Sequence, residues 1–124
     1  MPIRNLNDEK DLESVLNDHD LVLIDFWAPW CPPCKEFLPV FQRVAEQHQD
    51  VAFCRINTEE VKSLQKGFEV HHIPTLIVIR ERVMLTSQAG YLPEEELKDL
   101  IARAMHLDLD KLRTEMEKSE EGGK

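Results

Sequence analysis

Trp27-Ala28-Pro29-Trp30-Cys31-Pro32-Pro33-Cys34-Lys35 is the stretch on which the reading of this chain turns. It closes an apolar run from Leu21 to Ala28 that only Asp25 interrupts, and a segment with helical spacing follows it. Two cysteines separated by two residues, where a strand gives way to a helix, point to reversible thiol–disulfide chemistry rather than packing. At a helix start, unpaired N–H groups and the positive end of the helix dipole favour a thiolate, which lowers the pKa of Cys31. Cys34 lies three residues on, on the same helix face, within reach of closing a disulfide with it. Cys31 is therefore expected as the nucleophile, at an exposed rim left by Trp30 and the two prolines. Cys34, drawn inward by the helix, is expected as the resolving thiol.

Two other uses of a Cys-x-x-Cys pair fit less well. A zinc site needs two further ligands, and Cys54 makes no second pair, while His71 and His72 are adjacent rather than spaced as zinc ligands. No metal is expected. A purely structural disulfide closing so short a loop constrains the unfolded chain little.

Working outward, residues 3–6 read as a short edge strand, and Asn7 or Asp8 as the cap of a helix carrying Leu12, Val15 and Leu16. Leu21 to Ala28, apolar on both faces, reads as a central strand. The helix from Cys31 buries Phe37, Val40, Phe41, Val44 and Ala45, with Pro39 expected to kink it. A strand over Val51–Asn57 and a short helix over Glu59–Lys66 follow, the latter with Gly67 as its cap. Thr75–Arg80 and Val83–Gln88 should pair as a hairpin across Glu81 and Arg82, although neither residue favours the positive φ of a tight turn. Gly90 and Pro93 lead into a last helix with Leu97, Leu100, Ile101, Ala104 and Met105 on one face. This order predicts an α/β fold with a mixed central sheet flanked by helices on both faces.

Size and composition suit a single domain over residues 1–106, followed by a polar, helical extension over 107–124 that either frays in solvent or docks against the domain or a second subunit. That extension keeps a weaker periodicity through Leu109, Leu112 and Met116 and carries four bases against six acids. The formal charge of the whole chain is −9, which opposes nucleic-acid backbones and anionic membranes as partners. The first ten residues are polar and charged, so no secretory signal is expected, and three cysteines make no disulfide framework. Both features point to a reducing, cytoplasmic setting.

Asp25 is the second informative residue. It shares a strand face with Leu21, Leu23 and Trp27, so burial should raise its carboxyl pKa towards neutrality. Such a group can relay, through water, the proton that Cys34 must lose. The alternative is a structural aspartate paired to Arg55 in the next strand; Arg55 tunes Asp25 in either case.

Taken together, Val22-Leu23-Ile24-Asp25-Phe26-Trp27-Ala28, Trp30-Cys31-x-Pro33-Cys34-Lys35, Pro39, Ile73-Pro74-Thr75 and Gly90 resemble the thioredoxin family over roughly residues 3–106. The resemblance implies a thioredoxin fold and an oxidoreductase that reduces protein disulfides with no cofactor beyond the Cys31–Cys34 pair. It also implies regeneration by a flavin- and NADPH-dependent reductase. Pro74 would be a cis-proline beside the site, Ile73 would pair with an incoming peptide, and Trp30 would border that groove. Asp25 matches the family's buried acid, Arg55 stands where a lysine is usual, and Trp27 matches the tryptophan behind the site. Pro32 replaces the usual glycine and removes an N–H near Cys31, so Pro32, Pro33 and Lys35 become tuning positions. Such double-proline sites also occur in specialised relatives, which keeps an oxidase or isomerase, or a redox-switched interaction module, as alternatives to a reductase. His71 and His72 border the groove either as solvated residues or, when protonated, as groups that favour acidic substrates or the Cys31 thiolate. Cys54 is expected to be a buried, inert thiol rather than a regulatory or dimer-forming one.

Overall fold

The computed structural model describes residues 3–122, with side chains through residue 115 and at 117. In chain order the elements are β1 (Ile3–Asn5), α1 (Glu9–Asp18), β2 (Leu21–Trp27), α2 (Pro32–Gln47), β3 (Ala52–Asn57), α3 (Lys62–Gly67), β4 (Thr75–Arg80), β5 (Val83–Ala89), α4 (Glu94–His106) and α5 (Leu109–Gly122). The five strands form one sheet in the order β1-β3-β2-β4-β5. β3 lies parallel to both β1 and β2, while β4 runs antiparallel to β2 and to β5. The sheet is therefore mixed, as its sequence pattern predicts.

β2 is central because Leu21 through Phe26 are all buried, a run that is stable only where both sheet faces are covered. Its alternation splits the core in two. Leu21 and Leu23 join Phe37, Val40, Phe41 and Val44 of α2 and Leu97 and Ile101 of α4. Val22, Ile24 and Phe26 pack on the opposite face with Val15 of α1 and Leu64 of α3. Asp25, in step with Leu21 and Leu23, is thereby directed to the face that α2 covers.

Asp8 caps α1: its Oδ1 accepts from the Asp11 N–H at 2.8 Å, and Asp11 Oδ2 accepts from the Asn7 N–H at 2.9 Å. Two orphan donors are thus satisfied reciprocally. α2 runs on through Pro39. α3 begins at Lys62, later than its sequence suggests, because Glu60 and Val61 both donate to the Asn57 carbonyl in a turn. Gly67 does not supply the left-handed residue after α3. It is the last helical residue, and Glu69 takes φ 54° instead. There, Phe68 N–H and Val70 N–H close on the Leu64 and Gln65 carbonyls, which fixes the bend at Glu69.

The β4–β5 turn is tight despite its residues. Glu81 and Arg82 have φ of 47° and 68°, the paired left-handed conformation that two-residue hairpins require. Neighbours hold it from several sides. Glu81 N–H donates to Asp20 O at 2.7 Å, Arg113 of α5 donates to Glu81 O at 3.2 Å, and Arg82 pairs with Glu13 at 2.7 Å. Since Asn tolerates this region better than Glu, Glu81→Asn should stabilise the fold by roughly 0.5–1 kcal/mol. A urea midpoint that is unchanged or lowered would show that the turn carries no backbone strain.

The first turn of α5 is anchored. Asp108 accepts from the Lys111 N–H at 3.0 Å, Leu109 is buried, and Arg80 donates to the Ala104 carbonyl at 3.0 Å and to the Leu107 carbonyl. The side chain of Met116, expected to continue the apolar stripe, lies outside the described residues. No helix among the described residues is long and apolar enough to cross a membrane.

Candidate active site

Cys31 is the N-cap of α2, with Pro32 and Pro33 in its first two helical positions. Proline suits those positions, where N–H groups have no intrahelical partner. Their consequence is electrostatic as well as steric: the first available N–H of α2 belongs to Cys34, and it donates to Cys31 Sγ at 3.3 Å. The two cysteines form a disulfide, their Cα atoms 5.3 Å apart.

The expected rim is made by Trp30, which is 65% exposed, whereas Cys31 is only 3% exposed. Cys31 thus departs from its anticipated exposure. Ala28, Cys34, Trp27 and Ile73 pack around it, and three of these four residues come from the continuous stretch where β2 passes into α2. The fourth, Ile73, arrives from a segment distant in sequence. Trp30 is held by a group that sequence reasoning misses: its Nε1 donates to Glu59 Oε1 at 2.6 Å. Glu59 sits in the polar loop after β3, where nothing in the sequence distinguishes it from Glu60.

Asp25 and Arg55 are direct partners across the β2–β3 ladder. Arg55 Nε donates to Asp25 Oδ2 at 3.1 Å, while Oδ1 is buried with no hydrogen-bond partner among the described residues. Burial raises the Asp25 pKa from 3.8 to about 6, with the charge and hydrogen bond of Arg55 opposing it. Asp25 is thus paired to Arg55, and its carboxyl still titrates above the ordinary carboxylate range. The Arg55 guanidinium also lies 4.1 Å from the centroid of the Trp27 ring. This stacking locks the side chain that faces Asp25 and uses the planar charge that distinguishes arginine from lysine. Thr58 ties the same corner together, its N–H and Oγ both donating to the Trp27 carbonyl at 2.9 and 3.2 Å.

Ile73-Pro74 is a cis peptide. The Pro74 carbonyl accepts from Gly90 N–H at 2.8 Å, and Thr75 Oγ donates to the His72 carbonyl at 2.5 Å. Gly90, at φ 97°, provides a conformation that a side chain would strain. Ile73 touches both the cysteine cluster and the core beneath it. His71, His72 and Lys35 are exposed at this end of the molecule. Cys54 lies apart, fully buried in β3, and burial pushes its thiol up to about 12, as befits an inert group. No metal-ligating group of three or more His, Cys, Asp or Glu side chains occurs among the described residues.

The thioredoxin family model matches residues 3–103. A Streptomyces coelicolor protein provisionally named thioredoxin 2 is 42% identical over 105 residues, spanning 85% of this chain and 78% of that protein. The thioredoxin of Haemophilus influenzae is 36% identical over 101 residues, spanning 80% of this chain and 94% of its own length. Among solved structures, a mutant thioredoxin from Halobacterium salinarum superposes with a TM-score of 0.80 at 33% identity, covering 85% of this chain and 92% of that one. Thioredoxins act on disulfide-bearing proteins, are regenerated by reductase partners, and need no cofactor beyond the redox disulfide. With its Cys31–Cys34 disulfide at the start of α2, its cis Ile73-Pro74 bond and these relatives, the chain belongs to the thioredoxin family and is a thiol–disulfide oxidoreductase of the disulfide-reductase type.

Proposed function

We propose that this protein reduces disulfides of protein substrates in the cytoplasm, with Cys31 as nucleophile and Cys34 as resolving thiol. In the reduced protein, the Cys31 thiolate attacks one sulfur of a substrate disulfide. A mixed disulfide forms and the other substrate sulfur leaves as a thiolate. Cys34 gives up its proton through water to Asp25 and attacks Cys31 Sγ, which expels the second substrate thiolate and closes Cys31–Cys34. Two electrons thereby pass to the substrate, and a flavin- and NADPH-dependent reductase returns them in its electron-transport role.

The observation that carries this reading is the single N–H left at the head of α2, that of Cys34, directed at Cys31 Sγ. A donor there favours charge on Cys31 over charge on Cys34, which sits deeper and is fully buried. Trp30, Ile73 and Pro74 form the substrate surface, to which an extended segment pairs beside the disulfide. Pro32, Pro33 and Lys35 tune the thiolate; Arg55 and Trp27 tune and hold Asp25. Residues 1–106 form the redox domain and 107–124 a helical extension. The net charge of −9 disfavours nucleic acids and anionic membranes as partners.

Cys34→Ser should trap covalent complexes with protein substrates, released by dithiothreitol and seen on non-reducing gels. Recovery of such complexes from Cys31→Ser and none from Cys34→Ser would reverse the two roles.

A further inference from the structure

Val83 through Leu92 contains ten consecutive residues without a charged side chain, in a chain that is 31% charged. In the interior strands such runs are explained by burial, but β5 is an edge, paired only with β4. Edges of this kind usually carry lysine or proline, or are kept very short. The opposite edge follows that rule, since β1 has three residues and includes Arg4. β5 has seven, with Met84, Ser87, Gln88 and Ala89 exposed. An irregularity opposite Val78 and Ile79 interrupts pairing at Leu85, so the regular part is Thr86–Ala89.

Beside that segment a groove of about 300 Å³ opens between β5 and α4. Gln88, Leu92 and Leu100 line it, both leucines being half-buried, and Glu95, Glu96 and Asp99 stand around it. Its one base, Arg103, is engaged by Asp99 at 3.1 Å. Lys98 reaches Glu94 at 3.2 Å and Glu95 at 3.9 Å, while Glu96 has no ion-pair partner among the described residues. The groove is thus apolar within and negative at its margin.

We propose that Thr86–Ala89 and this groove dock an extended, basic segment of a partner protein, which adds a strand to the β5 edge. Side chains of an added strand alternate between faces, so every second one meets α4. A basic-x-apolar-x-basic pattern would place its apolar residue over Leu92 and Leu100 and its bases against Glu95, Glu96 and Asp99. A second copy of this chain fits poorly, because it would bring one acidic margin against another at −9 apiece. Gly90 N–H bonds Pro74 O, so the proposed surface ends next to the redox groove yet needs none of its chemistry.

The test uses the full chain and a fluorescein-labelled, cysteine-free peptide in which lysines flank a central leucine, separated by threonines. Fluorescence anisotropy should show saturable binding that a glutamate-for-lysine counterpart lacks and that added salt weakens. Glu96→Lys with Asp99→Lys should weaken it about tenfold, Leu100→Ala should also weaken it, and insulin reduction should stay unchanged in both. No saturation at millimolar peptide, equal binding of the acidic peptide, or indifference to these substitutions would overturn the proposal. A concentration-dependent dimer in sedimentation, abolished by Ser87→Lys, would overturn it in favour of self-association. Loss of insulin reduction in the wild type with peptide binding intact would count against the redox reading alone.

Discussion

Cys31→Ser is expected to lower insulin disulfide reduction by at least about three orders of magnitude, to the rate of small thiols in the buffer. A serine hydroxyl is almost wholly protonated at neutral pH, so the helix-start donor finds no anion to stabilise and no sulfur is available for a mixed disulfide. The fold should survive, because the Cys34 N–H that now reaches Sγ at 3.3 Å can bond a hydroxyl oxygen, and serine is a good N-cap. A folded Cys31→Ser protein that keeps more than about a tenth of its activity would show that another thiol begins the reaction. That thiol would be Cys34, since Cys54, the third cysteine, is fully buried with its pKa pushed up to about 12.

Asp25→Asn should give the second-largest effect, and the effect has two opposite parts. The folded-state pKa of Asp25 lies near 6 against an ordinary 3.8, because burial outweighs the attraction of Arg55. Between those values the folded protein holds a proton that the unfolded chain has released, so stability falls as pH rises through this window. At about 1.4 kcal/mol for each pH unit, the carboxylate costs roughly 3 kcal/mol above pH 6. Asparagine removes that cost, so the variant should be more stable than wild type at pH 7.5 and nearly equal to it at pH 4. Turnover should move the other way, slowing about 10- to 100-fold above neutral pH, because the amide cannot accept the proton that Cys34 releases. Urea unfolding at the two pH values and single-turnover reduction measure the two parts separately. Equal stability differences at pH 4 and 7.5 would show that the carboxyl is not held near neutrality, and an unchanged rate would remove the relay.

The course of the chain through strands and helices is legible because local periodicity carries it. The apolar run of β2, broken only by Asp25, the i, i+3, i+4 stripe of α2 and the acid-capped start of α1 each depend on neighbours in sequence. What escapes depends on contacts between distant segments. Glu69 and Glu81 adopt left-handed conformations that their side chains disfavour, because carbonyl partners from Lys66 to Asp20 and the arginine of α5 fix the backbone around them. A glycine two residues earlier, Gly67, is the wrong guide for the same reason.

The site divides similarly. Cys31, Cys34 and Asp25 stand out by residue type and spacing alone. Strand alternation puts Asp25 and Trp27 on one face, but only the register with β3 shows that Arg55 bonds the first and stacks on the second. The shielding of Cys31 by Ile73, and the Glu59 acceptor for Trp30, join segments more than 25 residues apart. No pattern within either segment encodes them. Pro32 sharpens rather than obscures the site, since with Pro33 it leaves one N–H to serve the nucleophile.

The reduction potential of the Cys31–Cys34 couple, equilibrated against glutathione, tests the direction of electron flow most directly. A reductase requires a value clearly below the cytosolic glutathione poise, near the about −270 mV of thioredoxin. A value near −180 mV, the range of disulfide isomerases at about that potential, would contradict it, since the protein would then hold its substrates' disulfides in place rather than remove them.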